Sequence, residues 1–212
     1  MHLDIIQSIQ IHNLTGIRSN KVIFKNINFT LCKGNYLVIQ GPNGSGKTTL
    51  LKMISGLIQK SKGDILINEL KISENSLKNK LFYMDSTPSF KEDLTLIDFL
   101  IYWSTLYNGL RNISYEYIKI SLFKMGLSNL QNKTISTLSL GQKKRLLISL
   151  LLLTNKQLWI LDEPTIGLDK YWTKKLSYIF LKHCKRGGII IMSTHTEIEI
   201  QNNTYLRLNF KI

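Results

Sequence analysis

Apolar residues in the first part of the chain follow the pattern of short β-strands. Residues 5–11 and 21–31 alternate between apolar and polar side chains, which is typical of strands with one buried face. Residues 36–40 are almost continuously apolar, as in a parallel strand that is buried on both faces. Shorter apolar runs follow at 65–67 and 81–84. We therefore predict several strands here, of which 36–40 belongs to a parallel sheet.

The pattern changes to a helical period between residues 96 and 125. Apolar side chains there recur every three or four positions, which places them on one face of a helix. The residues that define two such helices are Phe99, Trp103 and Tyr107, followed by Tyr117, Ile120 and Phe123. We predict a helical subdomain at roughly 90–155, inserted in the α/β unit. Its aromatic face fits either the core of that subdomain or a docking surface for a partner helix.

The last third of the chain combines a capped helix with buried strands. Ser139 and Gln142 have the spacing of a capping box, so a helix should begin here with its N–H groups pointing outward. An apolar strand at 158–161 ends in two carboxylates, and a second one at 189–192 ends shortly before a histidine. A final edge strand is predicted at 205–210. Together with the earlier strands, this order predicts an α/β fold.

A glycine-rich segment separates the strand at 36–40 from a helical stretch. Its residues are Gly41, Pro42, Asn43, Gly44, Ser45, Gly46, Lys47, Thr48 and Thr49. The glycines let the backbone wrap closely around an anion, and the N–H groups at the start of the helix can cradle phosphates. Lys47 can then reach the β- and γ-phosphates, and the Thr48 hydroxyl can bind Mg²⁺. The segment predicts nucleotide binding, because a glycine-rich hairpin turn would leave the Lys-Thr-Thr helix start unexplained.

Two carboxylates and a histidine follow the buried strands of the C-terminal third. Asp162 fits a Mg²⁺-holding role, usually through water, and Glu163 fits a base that orients the attacking water. The alternative is structural, with both carboxylates only capping a strand. His195 follows a buried strand, at the end where ligands bind in parallel sheets, and fits a sensor of the γ-phosphate. A satisfied core histidine is the alternative.

Composition adds the size and the charge. The 212 residues include 28 Lys and Arg against 14 Asp and Glu, which gives a net charge of +14. This charge fits nucleic acid or an anionic membrane surface as a partner, and it also fits compositional drift, because the lysines are scattered. Cys32 and Cys184 lack a CxxC spacing, so we expect two buried thiols and a reducing compartment. The sequence contains no apolar run long enough to span a bilayer and no signal-peptide pattern.

Taken in order, these motifs resemble those of the ABC-transporter ATPases. The resemblance rests on GPNGSGKTT at 41–49, LSLGQ at 138–142, LWILDEP at 158–164, GLD at 167–169 and STH at 193–195. It implies an α/β P-loop NTPase fold with a RecA-like core, an N-terminal antiparallel β-sheet and an inserted helical subdomain, in one ATP-binding domain over residues 1–212. It also implies hydrolysis of ATP with Mg²⁺ as a cofactor.

The resemblance further implies partners. Members of the family form head-to-tail dimers in which the signature residues, here Ser139, Gly141 and Gln142, bind the ATP held by the other copy. They work with separate transmembrane subunits. Within the family the chain most resembles the ATP-binding subunits of cytochrome c maturation (Ccm-type) haem exporters, through its length and RGGIIIMSTH at 186–195. That implies haem-handling proteins as further partners, no nucleic acid, and a peripheral position on the inner membrane, on the matrix side of mitochondria or the cytoplasmic side of bacteria.

Three places depart from the family pattern. Leu140 replaces the first glycine of the signature, and Thr87 stands where a glutamine is expected. Gly16, Ile17 and Arg18 occupy the place of an aromatic residue that stacks on adenine, and Arg18 either stacks its guanidinium there or is solvated. The first two departures keep open a regulatory nucleotide-binding module without turnover. The positive charge keeps open a soluble ABC ATPase that acts on ribosomes or nucleic acid.

Overall fold

The computed structural model describes residues 5–18, 21–71, 77, 79–108, 113–195 and 205–209. It divides into two compact units. The first contains residues 1–86, 156–165 and 172–212, and the second contains residues 87–155 and 166–171. The second unit overlaps the range for which the sequence predicts a helical subdomain.

The first unit contains two sheets. Its described strands are β1 (Ser8–Arg18), β2 (Lys21–Cys32), β3 (Tyr36–Gln40), β4 (Lys62–Ile67), β5 (Leu70–Lys71), β6 (Leu81–Met84), β7 (Leu158–Asp162), β8 (Ile189–Ser193) and β9 (Tyr205–Asn209). Strands β2, β1, β4 and β5 form an antiparallel sheet in that order, and β6, β7, β8, β3 and β9 form a parallel one. The predicted α/β fold with an N-terminal antiparallel sheet is confirmed, and β9 is an edge strand as predicted.

The first strand differs from its prediction in length. The alternation predicts a strand at 5–11, whereas β1 begins at Ser8 and continues to Arg18. Its pairing with β2 shifts register between Ile11 and Leu14 and again on both sides of Gly16. These irregularities break the period of two beyond Ile11, so the second half of the strand carries no alternating signal.

The parallel sheet is buried on both faces at its centre. All residues of β7 and β8 are buried, as are the first four of β3, which confirms the prediction for 36–40. Strand β8 lies between β7 and β3, with Ser193 paired to Asp162 on one side and to Ile39 on the other. The carboxyl ends of three strands therefore lie side by side, which places the loop after β3 next to the residues that follow β7 and β8.

Helix α1 spans Lys47–Ile54 and follows the glycine-rich loop. It ends in a Schellman motif, in which the Gly56 N–H donates to the Met53 carbonyl and the Leu57 N–H donates to the Lys52 carbonyl. Gly56 has a φ of +72°, a conformation that glycine adopts without a steric penalty. The predicted stop of this helix is confirmed, and its apolar side chains join the core between the two sheets.

The second unit is mainly helical. Its described α-helices are α2 (Leu96–Asn108), α3 (Tyr115–Lys124) and α4 (Leu140–Leu153), and α5 (Lys170–Lys185) begins in it and continues in the first unit. Two short 3-10 helices, Ser128–Leu130 and Ile135–Thr137, lie between α3 and α4. The helical period predicted from residue 96 onward is confirmed. Among the residues that the structure describes, no helix combines the length and the apolar character that crossing a membrane requires.

The aromatic face of α2 forms a continuous series of ring contacts. The ring centroids of Phe99 and Trp103 lie 6.2 Å apart, and those of Trp103 and Tyr107 lie 6.3 Å apart. Phe99 is buried and also contacts Phe90, with centroids 5.6 Å apart. Rings at these distances stabilise each other beyond their burial alone. This series favours the interpretation of the face as subdomain core.

Helix α3 exposes the residues that identify it in the sequence. Phe123 is 75% exposed, Tyr117 is 65% exposed, and Ile120 is also exposed. Its buried side is formed instead by Ile118 and Leu122, which are one turn apart. The helix carries apolar residues on both sides, so the period predicts the helix but not which side faces the core.

The two cysteines differ in exposure, which corrects the expectation that both are buried. Cys184 is buried on α5, where it follows Leu176 and Phe180 at intervals of four. Cys32 is exposed. It is the last residue of β2, and because its neighbour Leu31 faces the core, alternation turns the thiol outward.

His183 on α5 is held against the sheet in its neutral form. Its ring stacks on Trp159 of β7, with centroids 3.5 Å apart and planes 10° apart, and its Nε2 lies 3.0 Å from the Gln157 carbonyl. A Cβ on Gly188 would lie 2.1 Å from the same nitrogen, so only glycine fits beneath the ring. Burial, opposed by backbone hydrogen bonds at Gln157 and Ile189 and aided by the nearby charge of Arg186, lowers the pKa of His183 from 6.5 to about 4.

We expect this histidine to make the protein less stable in mild acid. Between pH 6.5 and about 4 the unfolded chain binds a proton on His183 that the folded chain does not bind. Stability is therefore retained above pH 6.5 and falls as the pH approaches 4, by up to about 3 kcal/mol from this group. Denaturant unfolding of wild type and His183→Phe at several pH values measures the effect, and the variant should show the shallower loss.

The matched control for this prediction is His12→Asn, because His12 is exposed on β1. It should follow the wild-type dependence on pH. Equal slopes for wild type and His183→Phe between pH 7 and 4.5 would contradict the assignment of the acid sensitivity to His183.

Candidate nucleotide-binding site

Two glycines of the loop after β3 meet different requirements. Gly46, the residue before α1, has a φ of +102°, and a Cβ there would lie 2.3 Å from Cγ2 of Ile23 on β2. Gly44 has a φ of +78°, but a Cβ there would meet nothing within 4 Å. Gly46 is therefore required by both conformation and space, and Gly44 by conformation alone. The loop leads directly into the N-terminus of α1, where N–H groups favour an anion.

Lys47 lies on the inner side of this loop. It is buried, and its ammonium donates hydrogen bonds to the carbonyls of Gly41 at 2.8 Å and Pro42 at 2.9 Å. A buried ammonium held by neutral carbonyls is stabilised further by an anion. The residue is thus placed to hold a phosphate that enters the loop.

Thr48 and Asp162 join the start of α1 to the end of β7. The Thr48 hydroxyl donates to Oδ2 of Asp162 at 2.7 Å, and the Ser193 hydroxyl of β8 donates to Oδ1. Asp162 is almost completely buried, and these bonds fix both of its oxygens. An alcohol and a carboxylate side by side are the oxygen ligands that Mg²⁺ accepts.

The residues fit a cation that is shared with phosphate. Among the described residues no cluster of three or more His, Cys, Asp or Glu side chains could hold a metal ion alone. Mg²⁺ in nucleotide sites is usually bound by one or two protein oxygens together with phosphate oxygens and water. Thr48 and Asp162 supply this number of ligands next to the phosphate-binding loop.

Glu163 and His195 lie together at the same end of the sheet. The backbone N–H of Glu163 donates to the Ser193 carbonyl at 3.2 Å and to its hydroxyl at 3.1 Å. Its side chain accepts from the His195 N–H at 3.3 Å, and its other oxygen lies 3.3 Å from Nε2 of that histidine. Glu163 has a φ of +48°, which costs a non-glycine residue roughly 1–2 kcal/mol. The bonds to Ser193 hold the backbone in this conformation and set the direction of the carboxylate.

His195 is not a core residue. Its side chain is 49% exposed, so the interpretation as a satisfied core histidine is wrong. The ring extends from the end of β8 next to a carboxylate and remains open to a ligand. The structure thus brings Lys47, Thr48, Asp162, Glu163 and His195 together within the first unit.

The second unit contains the predicted capping box. The Ser139 hydroxyl accepts from the Gln142 N–H at 3.3 Å, and the Gln142 side-chain oxygen accepts from the Ser139 N–H at 2.8 Å. A Cβ on Gly141 would lie 2.6 Å from the Gly167 carbonyl, so glycine is required where the start of α4 contacts the GLD segment. The first N–H groups of a helix have no intrahelical acceptor, and this cap supplies one for the N–H of Gln142.

Leu140, which departs from the family pattern, is accommodated at the surface. It is 64% exposed, and a Cβ on Gly167 would lie 3.1 Å from its Cγ. The side chain therefore covers Gly167 and adds apolar bulk beside the helix start. Arg18, the residue considered for adenine stacking, is exposed at the end of β1, which leaves both of its interpretations open.

The roles of two polar residues of this region are not indicated by the sequence motifs. Ser193 fixes both Asp162 and the backbone of Glu163, although the sequence indicates it only as part of the STH motif. Tyr83 of β6 pairs with Ile160, two residues before Asp162, so its buried hydroxyl lies on the same side of the sheet as Asp162. A signal existed in each case, because each is a polar residue in an otherwise apolar strand.

Comparison with known proteins identifies the family. The family model described as ABC transporter matches residues 24–166. The chain is 75% identical over 209 residues to the cytochrome c biogenesis ATP-binding export protein CcmA of Reclinomonas americana, which covers 99% of this chain and 94% of that protein. It is 34% identical over 197 residues to the protein of the same name from Aliivibrio fischeri, with 92% and 95% covered.

A solved structure supports the same assignment. A protein from Pyrococcus furiosus described as an ABC transporter ATP-binding protein matches with a TM-score of 0.82 at 28% identity, covering 96% of this chain and 97% of that one. The resemblance to ABC-transporter ATPases, and among them to cytochrome c maturation subunits, is therefore confirmed. The chain belongs to the ABC transporter family, and it is one of the family's ATP-binding ATPase subunits.

Proposed function

We propose that this chain hydrolyses Mg²⁺-bound ATP as the energy-supplying subunit of a cytochrome c biogenesis export complex. The observation that carries the proposal is the joining of the phosphate-binding loop to the carboxylates through the Thr48–Asp162 hydrogen bond of 2.7 Å. A phosphate-binding loop alone indicates only nucleotide binding. Asp162 is a buried carboxylate that is bonded to the start of α1, and Glu163 follows it directly as a second carboxylate. Together they add the groups that hydrolysis requires.

Each residue of the site has a separate role. The loop from Gly41 to Thr49 and the ammonium of Lys47 hold the phosphates, while Thr48 and Asp162 hold the cation. When bound, Mg²⁺ neutralises charge that develops on the transferred phosphoryl group. Glu163 orients the attacking water and accepts its proton.

His195 has a separate role from Glu163, which holds it in place. Its half-exposed ring contacts the γ-phosphate and reports its presence.

Helix α4, which begins at the signature residues, gives the reason for a dimer. Ser139, Gly141 and Gln142 belong to the second unit, at a capped helix start that suits an anion. We propose that these residues bind the ATP held by the loop of a second copy, arranged head to tail. Leu140 adds apolar bulk beside that contact and makes closure of the dimer less favourable.

The biological setting follows from the relatives. The 75% identity to a cytochrome c biogenesis ATP-binding export protein extends over nearly all of both chains, which supports the same task for this one. We therefore propose separate transmembrane subunits and haem-handling proteins as partners. The chain would lie peripherally on the inner membrane, on the matrix side in mitochondria or the cytoplasmic side in bacteria. A role on ribosomes or nucleic acid gains no support from these relatives.

We expect the purified chain to be a weak ATPase that gains activity with its own concentration and in the membrane complex. Catalysis needs the signature of a second copy, and partners that hold two copies together raise their effective concentration. The measurement is the ATPase rate per molecule against protein concentration, for the chain alone and for the complex isolated from native membranes. Leu140→Gly should raise the activity of the chain alone, because it removes the bulk beside the contact.

A high rate per molecule in the dilute chain that does not change with protein concentration would contradict the need for both dimer and partner. The control is Leu106→Ala, because Leu106 is an exposed leucine of α2 outside the signature. It should leave the dependence on concentration unchanged.

A further inference from the structure

The hydroxyl of Tyr83 is buried without a hydrogen bond. Its oxygen has no partner among the described residues, although it has lost its contact with solvent. The ring packs against the core that β6 and β7 share with α1. A buried hydroxyl without a partner costs free energy, so a phenylalanine would be the better residue for packing alone. Packing alone therefore does not explain why this position carries a hydroxyl.

The register of the sheet places this hydroxyl near two carboxylates. Tyr83 pairs with Ile160 on the parallel strand β7, and Asp162 lies two residues further on the same face. Asp85 lies two residues after Tyr83 and pairs with Lys52 of α1, with the two charged atoms 2.9 Å apart. The phenol is thus located between α1 and the end of β7.

Burial and the nearby negative charges keep the phenol protonated. Burial raises the pKa of Tyr83 well above its usual value of 10.0, and the nearby carboxylates of Asp85 and Asp162 raise it further. A protonated phenol next to a carboxylate is a hydrogen-bond donor for it. Asp162 already accepts from Thr48 and Ser193, and a carboxylate has room for about four donors.

We propose that Tyr83 is a positioning residue of the nucleotide site, whose hydroxyl donates to the Asp162 carboxylate, directly or through one water, when Mg²⁺ and ATP are bound. This inference rests on the proposed function of Asp162 as a holder of the cation. A bound cation would use the same Asp162 carboxylate oxygens to which Thr48 and Ser193 now donate. The third donor keeps the carboxylate in position from the side of β6. Ligand-supporting hydrogen bonds of this kind change metal affinity by about 10–100-fold.

Tyr83→Phe tests the inference, since it removes only the oxygen. ATP affinity is measured with a fluorescent ATP analogue, once with Mg²⁺ and once with EDTA, and thermal unfolding is measured without nucleotide. We expect the gain in affinity that Mg²⁺ provides to fall by about tenfold, with the affinity in EDTA unchanged. The melting temperature without nucleotide should stay the same or rise, because an unpaired buried hydroxyl is removed.

Tyr178→Phe is the matched control. Tyr178 is exposed on α5, and the same chemical change there should leave all three measurements at their wild-type values. If Mg²⁺ raises the ATP affinity of Tyr83→Phe as much as that of the wild type, this inference is overturned and the proposed function is not. A loss in EDTA and Mg²⁺ alike, with a lower melting temperature, shows a purely structural role and also overturns it. Failure of the wild-type chain to bind ATP at all would overturn the proposed function, and this inference with it.

Discussion

Replacing Glu163 with glutamine is expected to reduce ATP hydrolysis by about 10²–10⁴-fold while ATP binding is retained. The amide preserves the shape of the side chain and an oxygen that can accept from the His195 N–H. It removes the anionic acceptor that orients water and takes its proton. The turnover rate and the affinity for ATP are measured on the same preparation. Because ATP stays bound, the variant should also accumulate as an ATP-dependent dimer in size-exclusion chromatography.

The control for this variant is Glu92→Gln. Glu92 belongs to the second unit, where its carboxylate pairs with Lys143 at 2.7 Å, and it has no assigned role in the chemistry. Its removal should leave turnover close to wild type, since an exposed ion pair contributes little. Turnover of Glu163→Gln at the wild-type rate would show that Glu163 is not the catalytic residue.

The elements that sequence predicts well are those with local signals. The glycine-rich loop, the stop at Gly56 and the capping box of Ser139 and Gln142 each depend on residues a few positions apart. The parallel strands are predicted for a similar reason, because burial on both faces leaves a continuous apolar run such as 189–192. Local chemistry therefore gives most of the fold and names most of the site residues.

The contacts between these residues depend on pairing across the sheet, which the sequence does not specify. Ser193 reaches Asp162 because β7 and β8 are neighbours in one register. Glu163 holds a left-handed backbone conformation that its residue type does not indicate. The exposed position of Phe123 has a similar origin, because a helix with two apolar sides is oriented by its tertiary contacts.

Replacing Lys47 with alanine is expected to weaken ATP binding by about 10–100-fold. The ammonium is buried inside the loop, so its charge acts on phosphate with little screening by water. Hydrogen bonds to charged groups contribute about 1.5–3 kcal/mol, and 1.4 kcal/mol corresponds to a tenfold change in affinity. Titration with a fluorescent ATP analogue measures the loss. The melting temperature without nucleotide should be measured alongside this titration, because the carbonyls of Gly41 and Pro42 lose their donor in the variant.

Lys52→Ala is the matched control for this substitution. Lys52 lies on the same helix, but its ammonium pairs with Asp85 at 2.9 Å and is partly exposed. Removing it changes the net charge by the same amount as Lys47→Ala, so any general electrostatic effect on ATP is common to both variants. The difference between the two affinities isolates the contact between the Lys47 ammonium and the phosphates. Equal affinities for Lys47→Ala and wild type would contradict the assignment of this loop as the phosphate-binding site.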